Sequence, residues 1–176
     1  MGVTKNLKKS MLYYQLSTEQ GYDSAQLNLG IIYANLPGDE QDLELAVKLY
    51  RRSARQGNSN ACYNLAYYYD SGCYYKQNQR LSFKWYYRAA ELGDCEAQRI
   101  VGYYLHCGIG IKQDLKRSAY WYQRAAIYGD SIAQYNLALC YIEGEGVAKD
   151  GKSANKWLQR SAAQGYRKAI YKLRKQ

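Results

Sequence analysis

Apolar and small residues fall in two helical stripes along residues 125–160. Ala133, Leu137, Ala138 and Tyr141 follow one another at spacings of four, one and three, which is one face of a helix, and they predict a first helix over about Ser131–Glu143. Gly144 and Gly146 then mark a loop where positive φ is open to glycine. Asp150 follows, a residue whose side-chain oxygen accepts from a free amide of a helix's first turn, so a second helix starts there. Its buried stripe is Ala154, Trp157, Leu158 and the Ser161-Ala162 pair. Small residues beside large rings let two helices approach closely, so the Trp column reads as core.

The same pattern recurs along the whole chain. A glycine stands at Gly21, Gly57, Gly93, Gly129 and Gly165, every 36 residues, and an alanine follows four places later at Ala25, Ala61, Ala97, Ala133 and Ala169. The capping column reads Asn6, Asp42, Asn78, Asp114 and Asp150. A fixed period of this size predicts an all-α solenoid in which each repeat buries its apolar face against its neighbours. The expected organisation is a single repeat domain: an unpaired outer helix within 1–20, repeats at 21–56, 57–92, 93–128 and 129–164, and a capping helix within 165–176. The opening helix is expected from Asn6 to about Glu19 and the closing one from about Ala169 to Gln176, with Arg167, Lys168, Lys172, Arg174 and Lys175 as its polar outer face.

The pattern Ala-Ala-x-x-Gly-x-x-x-Ala-x-x-x-Leu-(Gly/Ala)-x-x-Tyr-x-x-Gly-x-Gly-x-x-x-Asp-x-x-x-(Ala/Ser)-x-x-Trp-Tyr resembles the Sel-one-like repeat, a relative of the tetratricopeptide repeat, from Asn6 to about Leu173. The third and fourth repeats match best, with Gly108/Gly110 and Gly144/Gly146 in their loops. The first departs, with Leu36-Pro37-Gly38, an acidic Asp39-Glu40, and Leu49 in place of Trp. The second has Tyr74 where the second loop glycine belongs. The resemblance implies a right-handed α-solenoid that acts without catalysis as a protein-interaction module, an adapter or scaffold holding a peptide or protein surface in its concave groove. In bacteria, proteins similar to this family serve signalling, envelope or host-contact pathways, and some are small immunity-type partners that neutralise a toxic effector.

A turn of about 100° per residue points the buried columns of each first helix one way and a second stripe about opposite. That second stripe is expected to line the groove. It contains Leu27, Asn28, Ile31 and Asn35; then Asn60, Tyr63, Asn64, Tyr67 and Ser71; then Glu96, Arg99, Ile100, Tyr103 and His106; then Ile132, Tyr135, Asn136, Leu139 and Glu143. Tyr and Arg are enriched among interface hot spots, and an amide side chain both donates to and accepts from a ligand's main chain. Asn28, Tyr63, Asn64, Tyr67, Arg99, Tyr103, His106, Tyr135 and Asn136 are therefore the candidate protein-binding residues.

Composition narrows the alternatives. The chain carries 22 Tyr, 3 Trp and one Phe, and a formal net charge of +10. Of its 25 Lys and Arg, only Arg99 falls on a first helix of the four repeats, while Asp23, Asp70, Asp94, Glu96, Asp130 and Glu143 lie on or before those helices. Positive charge is thus expected on the convex side, where Arg52, Arg88, Arg124 and Arg160 recur with Lys48, Lys84 and Lys156 one turn earlier. A solvated structural face is the leading reading of that ridge. Anion binding, to nucleic acid or an acidic membrane, is the competing one.

No run reaches the roughly 18 apolar residues of a membrane span, and Met1–Ser10 lacks the apolar core of a signal peptide. Cys62, Cys73, Cys95, Cys107 and Cys140 occupy five different repeat columns, which reads as reduced thiols in a cytoplasm rather than repeated staples. They also lack the C-x-x-C pairs of a structural zinc site, so no metal or cofactor is expected. The lone His106 beside Cys107 makes no catalytic pair by spacing, since adjacent helical residues point apart. Ser153-Ala-Asn-Lys156 matches the S-x-x-K of penicillin-recognising enzymes without the accompanying S-D-N or K-T-G. β-Lactam binding has been suggested for some cysteine-rich relatives of the repeat, and a weak hydrolase related to them is the third reading.

Overall fold

The computed structural model of the protein describes residues 5–175. Among these residues it has ten α-helices, one 3-10 turn and no strand. The chain divides into two compact units, the first ending at Leu92 and the second starting at Gly93. The first contains α1 (Lys5–Glu19), α2 (Asp23–Asn35), α3 (Leu43–Arg55), α4 (Ser59–Ser71) and α5 (Gln79–Glu91). The second contains α6 (Cys95–Cys107), α7 (Leu115–Ile127), α8 (Ser131–Glu143), α9 (Gly151–Ala163) and α10 (Arg167–Leu173). Within each unit every helix packs chiefly on the helices before and after it. The fold class is that of helix-pair repeat solenoids.

Capping fixes where these helices begin. Asp42, Asn78, Asp114 and Asp150 each accept from a first-turn amide, those of Leu45, Leu81, Arg117 and, for Asp150, both Lys152 and Ser153. The Ser153 hydroxyl also donates to Asp150 at 2.6 Å, and this bond, ahead of the backbone ones, holds the Asp150 carboxyl below its ordinary range. Sequence reasoning missed a second capping column, in which Asn58, Asp94 and Asp130 accept from Ala61, Ala97 and Ala133 at the starts of α4, α6 and α8. Two ends differ from expectation. Asn6 is no cap, because α1 is already helical at Lys5 and the Asn6 carbonyl accepts from Ser10 inside it. The last helix runs over Arg167–Leu173 rather than from Ala169, because Tyr166 occupies the N-cap place after Gly165; Gln176 lies outside the described residues.

The loops between paired helices close alike despite unlike sequences. The amides of Asp42, Asn78, Asp114 and Asp150 donate to the carbonyls of Tyr33, Tyr69, Leu105 and Tyr141, at 2.8–3.1 Å. Gln41, Gln77 and Gln113 add side-chain bonds to the carbonyls of Ala34, Asp70 and His106. The first loop therefore holds its closure with a 3-10 turn at Gly38–Glu40 in place of two loop glycines. In the second, rings do that work: Tyr75 stacks on Tyr69 at 4.4 Å, with the Arg51 guanidinium 5.4 Å from the Tyr75 ring centre.

The core is built on close approach. A Cβ on Gly30 would come 2.8 Å from Cε1 of Tyr50, and one on Gly102 would come 2.7 Å from Cδ1 of Tyr122. At the corresponding place in the last pair, Ala138 clusters with Leu158, the larger small residue facing the smaller large one. Leu49 is buried in the Trp column of the first repeat, Trp121 is buried, and Trp85 and Trp157 are half-buried. Several buried polar groups are satisfied between helices: Ser118 donates to the Gly102 carbonyl at 2.7 Å and Ser161 to that of Ser131 at 2.6 Å. Gln134, buried, donates to the Ala126 carbonyl and accepts from Gln164.

Gly146 combines two constraints. Its φ is +73°, and a Cβ there would overlap the backbone carbonyl of Leu115 at the start of α7. Gly129 has φ +100° with no atom within 4 Å of its would-be Cβ. Gly129→Ala is therefore expected to lose about 1–2 kcal/mol, the left-handed backbone penalty alone. Gly146→Ala is expected to lose about 2–4 kcal/mol, because overpacking adds to the same penalty. Urea denaturation of the two variants checks the order.

Candidate functional site

The first unit holds a pocket of about 650 Å³ between α2 and α4. Ile31, Ala34 and Asn35 form one side, Asn64, Tyr67 and Tyr68 the other, and Tyr50 of α3 reaches in between them. The second unit holds a pocket of about 370 Å³ between α6 and α8. There Tyr103, His106 and Cys107 face Asn136, Leu139 and Cys140, with Tyr122 of α7 between them and Glu143 and Glu145 at the edge. The two stand at equivalent repeat positions, two repeats apart. Tyr50 corresponds to Tyr122, Asn64 to Asn136, Tyr68 to Cys140, and Cys73 to Glu145.

The structure divides the nine predicted site residues. Asn64 and Tyr67 line the first pocket, and Tyr103, His106 and Asn136 line the second. Tyr67 and Tyr103 are about half exposed, at 52% and 50%. Asn28 is half-buried on α2 and lines neither pocket. Tyr63, Arg99 and Tyr135 share another column, and each makes contacts between helices. Tyr63 meets Tyr86 edge-on at 5.3 Å, and Tyr135 meets Tyr166 at the same distance. Arg99 donates from Nε to Asp130 at 3.1 Å and from Nη2 to Glu96 at 2.8 Å. Leu27, in this column of the first repeat, is buried rather than facing the groove.

Burial sets the chemistry of the second pocket. Cys140 is buried, which pushes its thiol up to about 11 and keeps it protonated at neutral pH. Burial likewise raises the Tyr122 phenol. Charge repulsion from the neighbouring Cys107, ahead of hydrogen bonding and burial, raises the Tyr103 phenol too. Among the described residues no group of three His, Cys, Asp or Glu side chains could hold a metal ion. The Ser153 hydroxyl is committed to Asp150 as part of the α9 cap.

The basic column has structural partners. The Arg124 guanidinium lies 5.2 Å from the Trp121 ring centre and that of Arg160 lies 4.8 Å from Trp157, so each covers the ring one turn before it. The second helices also carry two basic clefts, one at Lys48, Arg51, Arg52 and Arg55 and one at Lys84, Arg88 and Trp85. Lys48 is paired there with Glu44. No helix among the described residues is long and apolar enough to cross a membrane.

Five stretches, residues 1–22, 23–58, 59–94, 95–129 and 131–166, match the family model of the Sel1 repeat. The chain belongs to the Sel1 repeat family. Among solved structures, a Sel1 repeat protein from Oxalobacter formigenes is 35% identical over 97% of this chain and 68% of its own, with a TM-score of 0.78. The protein c5321, a protective antigen present in uropathogenic Escherichia coli strains displaying an SLR fold, is 33% identical over 93% of this chain, with a TM-score of 0.87. This chain spans 35% of that protein's chain. Immunity protein Pa5087 from Pseudomonas aeruginosa, 22% identical over 90% of this chain and 59% of its own at a TM-score of 0.54, shares the fold. A search of the curated proteins found no match. Sel1 repeat proteins generally mediate protein–protein interaction as non-enzymatic scaffolds.

Arg99 ties α6 to the capping residue of α8, with side-chain exposures of 21% and 16% for Arg99 and Asp130. Arg99→Ala is expected to destabilise the protein by about 1.5–3 kcal/mol, the range for hydrogen bonds to charged groups. Chemical denaturation of Arg99→Ala checks this, and a change below about 0.5 kcal/mol would mean the pair is loosely held.

Proposed function

We propose that this protein is a non-enzymatic protein-binding module that engages a peptide or protein surface through the pockets between its first helices. The observation that carries the reading is the duplicated site. The same repeat positions build a tyrosine-floored pocket twice, each with an asparagine amide in its wall, Asn64 in one and Asn136 in the other. Tyr67 and Tyr103 leave half their surface open beside these pockets. Such rings supply large contact area at small entropic cost, and an amide recognises main-chain groups. The family's general role in protein–protein interaction agrees with this use. The finer role, as an adapter or as a small partner neutralising a toxic effector, depends on which protein occupies the pockets.

Arg124 and Arg160 have a structural use above their Trp neighbours, which favours the pockets over the basic face as the recognition surface. The two readings separate by salt. Binding through several phosphate contacts falls by orders of magnitude between low and physiological salt, whereas a Tyr- and Asn-lined pocket loses far less.

The test is capture of a partner from the source organism's lysate at moderate salt, with wild type beside the double variant Tyr67→Ala, Tyr103→Ala. Both rings are half exposed, so folding stability should change by no more than about 0.5 kcal/mol for each. A partner held by the wild type and lost by the variant supports the reading. The same partner held equally by both overturns it.

A further inference from the structure

The two equivalent pockets differ in charge. On the α2 and loop side the first pocket presents Ile31, Ala34, Asn35 and Cys73, all neutral. The second presents Tyr103, His106, Cys107 and Glu145 in those columns, and Glu143 joins its edge. Two carboxylates therefore face a 370 Å³ cavity whose other walls are aromatic, apolar or amide. Among the described residues, no lysine or arginine lies within 4 Å of either carboxylate. The nearest approach to Glu145 by a basic group is His106 Nδ1, at 3.7 Å, and this nitrogen is enclosed with no hydrogen-bond partner. Lys149, on the same loop, lays its methylene stem across Gly144.

This arrangement stands out in a chain of net charge +10. Basic residues crowd the second helices, yet among the described residues no lysine or arginine pairs with these two acids beside the cavity, and Glu145 meets only the His106 ring. A cation in the pocket would meet the carboxylates at the rim and the rings of Tyr103 and Tyr122 on the walls, and rings attract cations through their negative faces. The His/Cys/Asp/Glu groups do not converge as metal ligands, so the fitting cation is an organic one on a long apolar stem. The apolar stem matches Leu139 and the protonated Cys140 on the wall.

We propose that the second pocket receives an arginine or lysine side chain of the protein partner, with Glu143 and Glu145 as its charge contacts. The proposal rests on the pocket-binding reading above and adds the chemical identity of one anchor. It also makes the two pockets unequal: the first takes a neutral part of the same partner.

The probe is Nα-acetyl-L-arginine methylamide, titrated into the full chain and followed by NMR at the Asn136 side-chain amide and the Leu139 methyl groups. The citrulline counterpart serves as the neutral isostere. The expected result is a saturable shift at both residues, with the arginine compound binding roughly five-fold more tightly than the citrulline one, and no shift at Asn64. In the double variant Glu143→Gln, Glu145→Gln the preference disappears. Equal responses to the two compounds, a preference that survives the double variant, or no response at all overturns the proposal. This outcome is independent of the capture experiment. If the arginine probe fails while Tyr67→Ala, Tyr103→Ala still loses the partner, only the cation anchor falls; if that variant keeps its partner, the pocket reading falls whatever the probe does.

Discussion

Two of the four helix pairs depend on a ring laid against a glycine with no room to spare. Tyr122 lies so close on Gly102 that no side chain fits between them, and Tyr50 does the same on Gly30. The contact sets how near the two helices of a pair approach, and dispersion across so short a gap holds them there. In the last repeat Ala138 and Leu158 take the two places, and in the second Ala66 stands there with the ring of Tyr86 kept. The same two tyrosines floor the two pockets. Core packing and candidate recognition surface are thus two sides of one side chain, and most of the candidate site stands on helices, with Cys73 and Glu145 added from the loops.

This coupling explains why the loops are free to vary. Each closes through the amide of a capping residue and the carbonyl of the preceding helix, so the backbone bond persists whether the loop carries Gly144 and Gly146, Leu36-Pro37-Gly38, or the stacked Tyr69 and Tyr75. Sequence differences in the loops then change what borders a pocket without moving the pocket. Cys73 in one and Glu145 in the other are the consequence.

Much of the fold was legible in the sequence because it is set by local, repeated signals. The 36-residue period, the span Ser131–Glu143 and four of the five expected cap positions follow from spacing and side-chain type. The site was less legible, for a geometric reason. A helical wheel separates buried from outward columns, yet positions beside the boundary point at the next helix rather than at solvent. Tyr63, Arg99 and Tyr135 sit there and spend their contacts on Tyr86, Asp130 and Tyr166. Asn64 and Asn136, one position on, do reach the pockets. The buried Gln26, Gln98 and Gln134 column went unread because amides on a helix ordinarily signal solvent. The recurrence of Gln at one repeat position was the available signal.

The proposed entry of a protein partner into the pockets floored by Tyr50 and Tyr122 is open to direct observation. The most direct measurement is NMR cross-saturation from the bound partner onto the labelled chain, which reports residues in contact without altering any of them. Attenuation is expected at Asn64, Tyr67, Tyr103, Asn136 and Leu139. Attenuation confined to Arg52, Lys84, Arg124 and Lys156 would contradict it, because contact would then lie on the second helices and away from the tyrosine-floored pockets.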